Sequence, residues 1–245
     1  MENKPNLSIS LIKALNQIDL NAFCAKKFKA IYIDKIFSPE PTSAMKIGQY
    51  LEYMLTGATL RDGSIPQPDT TAKGELTAAY KNLLPHKKTW ENMLKVNIFM
   101  DLQKSVTLEH QYKEWNIKGI ADVIAIKDGN AVIIDIKSTG KIDDKWSEFG
   151  WLNIENKPNL YGQGVLYCYL FYKLYKVIPD FYFAVFSTTS DGNANLLKLN
   201  MPYDIDYICE SVEKSIDYAI SLIEYYNTID WPATDEFSHC LECDY

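Results

Sequence analysis

The chain has 245 residues, of which 47% are hydrophobic, so it is long and apolar enough to bury a substantial core. Its formal net charge of −7 argues against a surface that is basic throughout, although a local basic groove is compatible with that total. No apolar run approaches the length of a membrane span, about 20 residues. The N-terminal MENKPNLSIS also lacks the hydrophobic region of a signal peptide, so a cytoplasmic protein is expected.

A single domain in three parts is predicted. Residues 1–104 should form a mainly helical N-terminal part, 105–200 a sheet core, and 201–245 a C-terminal helix with a Cys-x-x-Cys tail. Prolines separate the helices predicted in the first part. These helices are expected over 9–17, 43–55, 73–84 and 88–103.

Three consecutive antiparallel strands are predicted to open the sheet core. Residues 106–113 alternate in polarity, and 117–126 and 131–137 are rich in β-branched side chains. Asp128-Gly129, between the last two runs, is the strongest short hairpin signal in the chain. Helices over 160–176 and 205–226 and strands over 181–187 and 195–200 follow. This order favours an α/β fold of the α+β type, with a mixed central sheet flanked by helices.

The hairpin is expected to gather a charged cluster. If the turn is symmetric about Asp128-Gly129, paired positions have numbers that sum to 257, and Asp122 stands opposite Asp135. Lys137 is two residues beyond Asp135 and shares its face. Two carboxylates beside a lysine favour a hard divalent cation, Mg²⁺ or Mn²⁺. The alternative is a structural salt bridge in which Lys137 neutralises one aspartate, which leaves one charge over.

Two helices offer further polar groups to this cluster. Gln163 and Tyr167 are four residues apart on the predicted helix after the sheet core's hairpin, so they share a face. The alternative is that Tyr167 only packs within an aromatic-rich helix. Glu52 is on the helix predicted over 43–55, where Gly48, one turn earlier, permits close approach to another backbone. A solvated Glu52 is the competing interpretation.

Two groups of lysines are candidates for binding the DNA backbone or, equally, for solvated faces. They are Lys26, Lys27 and Lys29, and Lys137, Lys141 and Lys145.

An ordered set of residues resembles the PD-(D/E)XK nuclease superfamily, and within it the RecB-like and phage-exonuclease branch. The set is Gly119 and Asp122 on one strand, Asp135-Ile136-Lys137 on the next, and Gln163 followed by Tyr167 on the succeeding helix. The resemblance implies a restriction-endonuclease-like core. It also implies a metal held by Asp122, Asp135 and the Ile136 carbonyl.

The same resemblance assigns roles to the remaining residues of the set. Lys137 would orient or activate the attacking water, and Gln163 and Tyr167 would shape the DNA-facing side of the site. Where the family often has histidine four residues after a glycine, this chain has Glu52 after Gly48. A glutamate there still offers an oxygen ligand.

The function implied by the resemblance is that of a metal-dependent deoxyribonuclease, an exonuclease using Mg²⁺ or Mn²⁺ in recombination, repair or phage DNA processing. It would be bacterial or phage-encoded. Its implied partners are DNA and a single-strand-annealing or recombination protein, and a homo-oligomer is compatible with the resemblance. The alternative is a catalytically inactive module that keeps the nuclease fold and binds DNA or a protein.

The cysteines resemble part of the iron–sulfur site that some RecB-like nucleases carry. Cys24 stands in a context close to the family's first cysteine, and Cys240 and Cys243 form a Cys-x-x-Cys pair. The fourth cysteine of that pattern is absent. Three interpretations stay open: an incomplete iron–sulfur site, zinc held by the three cysteines and His239, or thiols that bind nothing.

Overall fold

The computed structural model describes residues 6–19, 23–142, 158–190, 192–201 and 204–232. Its strands are β1 (Leu7–Ser8), β2 (Met100–Tyr112), β3 (Trp115–Lys127), β4 (Asn130–Thr139), β5 (Asp180–Ser187) and β6 (Ala194–Lys198). They form one sheet in the order β1-β3-β4-β5-β6, with β2 paired to β3. The β3–β4 and β5–β6 pairs are antiparallel, whereas β1–β3 and β4–β5 are parallel. The predicted mixed sheet is therefore confirmed.

Seven α-helices accompany the sheet within the described residues. They are α1 (Ile9–Asp19), α2 (Ala25–Phe28), α3 (Ser43–Thr56), α4 (Ala78–Lys81), α5 (His86–Val96), α6 (Pro158–Tyr175) and α7 (Ile205–Thr228), and α2 continues into a π-helical turn over Lys29–Ile33. In this part of the chain, no helix is both long enough and apolar enough to cross a membrane.

Two helices predicted in the first hundred residues are wrong in extent. Of the helix predicted over 73–84, only α4 forms, because Thr71 N–H bonds to the Glu75 carbonyl at 2.7 Å and closes a tight turn. The helix predicted over 88–103 ends at Val96, since Ile98 takes a positive φ of 55° that a helix does not allow. Strand β2 then begins at Met100, so the predicted boundary at residue 104 falls inside a strand.

The chain divides into two units. One takes its described residues from 6–40, 109–119 and 204–232, and the other from 41–108, 120–142, 158–190, 192–201. Each of the three predicted parts contains residues of both units, so their boundaries differ from those of the units. Every residue of the candidate site described below belongs to the second unit.

The register of the β3–β4 hairpin is the one predicted from its turn. Its paired positions run from Lys127 with Asn130 to Val123 with Ile134, and each pair of numbers sums to 257. Asp128 and Gly129 both have positive φ, 51° and 79°, as a two-residue hairpin turn of this hand requires. The turn therefore fixes which side chains of β3 and β4 share a face.

One face of the second unit's sheet forms its apolar core. Ile134 and Ile136 of β4 lie in this core with Leu51 and Leu55 of α3 and with Trp90 of α5. Helix α3 begins after Thr42, whose hydroxyl accepts the Met45 N–H, and ends at Gly57 with φ 84°. Since Asp135 and Lys137 alternate with these isoleucines, they project from the other face.

Helix α6 packs against β5 at a glycine. A β-carbon on Gly164 would come within 2.4 Å of Leu199 Cδ2 and 3.2 Å of Phe181 Cδ1. Both neighbours are buried, so neither can move into solvent. Gly164 therefore sets how closely α6 approaches the sheet, and α6 carries Gln163 and Tyr167.

We expect Gly164→Ala to lower the free energy of unfolding by about 1–3 kcal/mol, because the added methyl overpacks this contact. Urea denaturation measures the change. Gly162→Ala is the matched control: it lies on the same helix, is exposed, and has no neighbouring atom within 4 Å of the place that a methyl group would take. That control should stabilise the helix by about 0.5–1 kcal/mol. Equal unfolding midpoints for the two variants would contradict the prediction.

Candidate active site

The β3–β4 ladder gives way to a side-chain contact where the charged residues begin. Beyond the Val123–Ile134 pair, the Asp122 carboxylate reaches across to β4, where its Oδ2 accepts the Ile136 N–H at 2.7 Å. The two strands therefore remain joined here through a side chain of β3. This contact holds the Asp122 carboxylate beside the Asp135-Ile136-Lys137 segment.

Asp135 is the most enclosed charged residue of the cluster, with 3% of its surface exposed. Its Oδ1 accepts a hydrogen bond of 2.8 Å from Gln163 Nε2. Its Oδ2 is buried and forms an ion pair with the Lys137 ammonium, which donates a hydrogen bond to it. Asp135 is thus oriented on one side by an amide and compensated on the other by a cation.

Three carboxylates surround this one lysine and act on each other's ionisation. Burial raises the pKa of Asp122 well above its usual range, and the charges of Asp135 and Glu52 raise it further. Burial also raises the pKa of Glu52, against the opposing effect of Lys137. The site therefore gathers more negative charge than its lysine offsets.

Lys137 remains a cation in this setting. Burial by itself would lower its pKa, but the neighbouring charges of Asp135 and Asp122 outweigh burial and raise it. The side chain keeps 27% of its surface exposed. Its Nζ also lies 6.0 Å from the centre of the Phe183 ring.

Glu52 reaches this cluster from a helix that packs closely on β4. The β-carbon position of Gly48, one turn before Glu52, lies 3.4 Å from Ser138 Oγ. A β-carbon at Gly48 would therefore make an ordinary van der Waals contact with the Ser138 side chain at the end of β4. The structure thus brings together Glu52, Asp122, Asp135, Lys137 and Gln163, as the sequence pattern predicted.

Tyr167 supports the site from the interior. Its hydroxyl donates a 2.6 Å hydrogen bond to the Ile120 carbonyl, two residues before Asp122, and its ring stacks on Phe181 with centroids 6.0 Å apart. Burial raises the pKa of the Tyr167 hydroxyl, with further increases from the nearby carboxylates, so it stays a donor. Only 7% of Tyr167 is exposed.

The oxygen-rich donor set fits a hard divalent cation. Carboxylate oxygens suit Mg²⁺ and Mn²⁺, and three mutually repelling carboxylates are offset by one ammonium, which lies on the buried Asp135 Oδ2 and would share that oxygen with a metal. Among the described residues, no group of three His, Cys, Asp or Glu side chains is arranged to hold one ion. Mg²⁺ commonly binds through one or two carboxylates and keeps several waters, so Asp122 and Asp135 can suffice.

Other predicted site residues lie elsewhere. Lys26, Lys27 and Lys29 belong to the first unit, where Lys29 Nζ pairs with Asp230 at 3.2 Å and Lys27 Nζ lies 5.8 Å from the centre of the Phe37 ring. Lys141 is exposed just beyond β4 and stays a candidate for DNA binding. Cys24 is buried at the start of α2. Lys145, His239, Cys240 and Cys243 lie outside the described residues, so the metal site predicted for the cysteines stays a prediction.

Some contributors to the site were not identified from the sequence. The Ile120 carbonyl carries no side-chain signal that could have revealed it. Gly164 did carry one, since a glycine inside a helical pattern often marks close packing. Ser138 was likewise not identified: it is the residue after Lys137, and its hydroxyl contacts α3 at Gly48.

Comparisons with known proteins identify a family and a related fold. A sequence profile of the PD-(D/E)XK nuclease superfamily matches residues 16–245. A Eubacterium rectale crystal structure, of a protein provisionally described as an exonuclease, has a TM-score of 0.74 at 20% identity, covering 99% of this chain and 89% of that one. The crystal structure of SSO0001 covers 89% of this chain and 78% of that one, but its TM-score of 0.43 at 16% identity is too low to inform the fold. No curated protein matches the chain.

Proposed function

Because the chain belongs to the PD-(D/E)XK nuclease superfamily, we propose that it is a metal-dependent deoxyribonuclease that hydrolyses phosphodiester bonds as an exonuclease. The observation that carries the proposal is the cluster around Lys137, where buried Asp135 and its acidic neighbours Asp122 and Glu52 share one cation. The provisional description of the Eubacterium rectale protein supports the exonuclease assignment.

The residues that would hold a divalent ion are Asp122, Asp135 and the Ile136 carbonyl, with Glu52 as a further oxygen donor. When bound, Mg²⁺ or Mn²⁺ would lower the pKa of a water and offset negative charge on the scissile phosphate. In hydrolysis the water oxygen bonds to phosphorus, and the bond from phosphorus to the leaving oxygen breaks. The leaving oxygen takes up a proton from solvent.

Lys137 and Gln163 have distinct parts in this reaction. The raised pKa of Lys137 keeps a positive charge beside Asp135, which suits an ammonium that orients the water and offsets phosphate charge. It does not suit a neutral base. Gln163, by donating to Asp135 Oδ1, holds that carboxylate in one orientation. Gln163 is therefore a positioning residue in this proposal.

The family resemblance supports DNA recombination, repair or phage DNA processing as the setting for this activity. DNA is then the main partner. A single-strand-annealing or recombination protein and a second copy of the chain are further candidates, and a cytoplasmic location fits this role.

Lys137→Met tests the proposal directly. We expect the unaltered protein to degrade linear DNA with Mg²⁺ or Mn²⁺ and to stop in EDTA, and Lys137→Met to be slower by about 100- to 1,000-fold. Release of acid-soluble nucleotides from end-labelled single- and double-stranded DNA measures the rate. Lys127→Met is the matched control, since Lys127 lies on the same hairpin and pairs with Asp128 at the turn, at 3.0 Å.

If the unaltered protein binds DNA but cleaves none of these substrates with either metal, the proposal fails. A binding module with the nuclease fold would then be the better assignment.

Tyr167→Phe tests the support beneath Asp122. Removing the hydroxyl leaves the Ile120 carbonyl without its 2.6 Å donor, so we expect the free energy of unfolding to fall by about 1 kcal/mol. The turnover rate should fall while the KM for DNA stays unchanged, because this hydroxyl is buried away from substrate. Tyr175→Phe, at an exposed position of α6, should change neither quantity. A raised KM with unchanged turnover would instead place Tyr167 in contact with DNA.

A further inference from the structure

A concave pocket lies at the C-terminal end of α3, the helix that also carries Glu52. It encloses about 510 Å³, within the range of about 300–1,000 Å³ typical of sites for small ligands. Its lining includes Met54 and Thr56 of α3, which follow Glu52 within about one helical turn. The pocket thus shares α3 with the candidate site, while its lining residues Leu55 and Trp90 belong to the apolar core on the sheet face opposite Asp135 and Lys137.

The pocket combines an apolar interior with charged groups at its edge. Met54, Trp90 and Leu94 supply apolar surface, and Lys87 and Lys104 are exposed lysines of the lining. Lys104 Nζ lies 3.5 Å from the Leu55 carbonyl, at the end of α3. An apolar cavity with amines beside it matches a nucleotide, which has an uncharged base and an anionic phosphate.

Local charge favours an anionic occupant. The charged residues of the lining are Lys87 and Lys104 against Glu91, a net charge of +1. The whole chain has a net charge of −7. The Glu91 carboxylate offsets part of the attraction. A positive lining in an acidic chain is the charge pattern expected for a local phosphate contact.

We infer that this pocket binds one unstacked nucleotide of the DNA strand, with its base against Met54 and Leu94 and its phosphates near Lys87 and Lys104. This inference rests on the proposed function and adds to it a place where the strand is held. A base released from stacking loses contacts in solution and regains apolar ones in the pocket. The pocket would thereby favour strand ends and single strands over the middle of a duplex.

Photochemical cross-linking locates the bound base. The probe is a single-stranded oligonucleotide with one 5-iodouracil, mixed with the full chain carrying Asp135→Asn so that it is not cleaved. We expect cross-linked peptides to contain Met54, Trp90 or another residue of the pocket lining. Cross-links found only outside that lining, or none at all while the oligonucleotide binds, would overturn the inference. A pocket that binds a peptide instead of a nucleotide would give no cross-links within its lining.

A salt titration tests the lysines independently of cleavage. Binding of the same oligonucleotide, measured by fluorescence anisotropy in EDTA, should weaken about fivefold or more in Lys104→Ala, and the slope of log Kd against log salt should fall by about 1. Lys95→Ala is the control, since Lys95 is an exposed lysine of α5 that lies outside the pocket lining, and it should change Kd less than about twofold. An unchanged slope in Lys104→Ala would overturn the phosphate contact.

The two assays separate this inference from the proposed function. DNA cleavage by the unaltered protein, together with cross-links only outside the pocket, would support the nuclease assignment and overturn nucleotide binding in the pocket. Cross-links in the pocket, with no DNA cleavage by the unaltered protein, would support nucleotide binding in the pocket and overturn the nuclease assignment.

Discussion

Asp135→Asn is expected to abolish DNA cleavage while leaving the protein folded. The substitution removes the charge of the most enclosed carboxylate at the site but keeps an oxygen that can accept the Gln163 hydrogen bond. The loss of a charged ligand and of the partner of Lys137 should slow cleavage by roughly 1,000-fold or more. The rate of nucleotide release from end-labelled linear DNA with Mg²⁺ measures this effect.

Asp180→Asn is the matched control for this change. Asp180 lies on β5 of the same sheet, paired with Val132 of β4, and it forms a 2.8 Å ion pair with Lys198 near the surface. Its loss removes one partly exposed pair worth at most about 1 kcal/mol, so cleavage should persist. If Asp135→Asn keeps the activity of this control, the site has been placed on the wrong residues.

The charged part of the site could be predicted because local rules fix it. A two-residue turn with positive φ at Asp128 and Gly129 leaves one register for the hairpin. Alternation then places Asp122 and Asp135 on one face without any knowledge of the rest of the fold. The prediction missed only that Asp122 bonds to the Ile136 N–H, because the end of a backbone ladder depends on how the strands diverge.

The errors in the first hundred residues have the opposite cause. The segment over 97–103 has apolar residues that suit either a helix or a strand, and the pairing of β2 with β3 decides the outcome. The strand begins at Met100, two residues after the positive φ of Ile98. The spacing of apolar residues within 97–103 does not contain that pairing.

The observed contacts of Gln163 and Tyr167 differ from the roles that the family resemblance implies. The resemblance assigns both to the DNA-facing side, whereas their observed hydrogen bonds go to Asp135 and to the Ile120 carbonyl. Spacing shows that two side chains share a helix face, but the depth of the helix decides what they reach. That depth depends on Gly164, whose β-carbon position meets Leu199 and Phe181.

Asp122→Asn is expected to stabilise the folded protein at neutral pH while removing activity. Burial, then the charges of Asp135 and Glu52, raises the pKa of Asp122 in the folded state well above its unfolded value of about 3.9. The favourable contribution of the protonated carboxyl is complete below the unfolded pKa and is lost as pH rises through the folded pKa. Asp122 therefore makes the fold less stable at pH 7 than at low pH, and a neutral asparagine carries no such cost.

Thermal unfolding in EDTA measures this effect across pH. At pH 7, Asp122→Asn should exceed the unaltered protein by about 1–2 kcal/mol in unfolding free energy, and the difference should shrink towards pH 4. Asp128→Asn, at the exposed turn of the same hairpin, should show no comparable pH-dependent gain. Added Mg²⁺ should then raise the melting temperature of the unaltered protein but not of Asp122→Asn, because only the carboxylate contributes a charged ligand. A destabilised Asp122→Asn at pH 7 would contradict the prediction, because it would show that the attraction of the Asp122 charge to Lys137 and to the Ile136 N–H outweighs burial and the repulsion from Asp135 and Glu52.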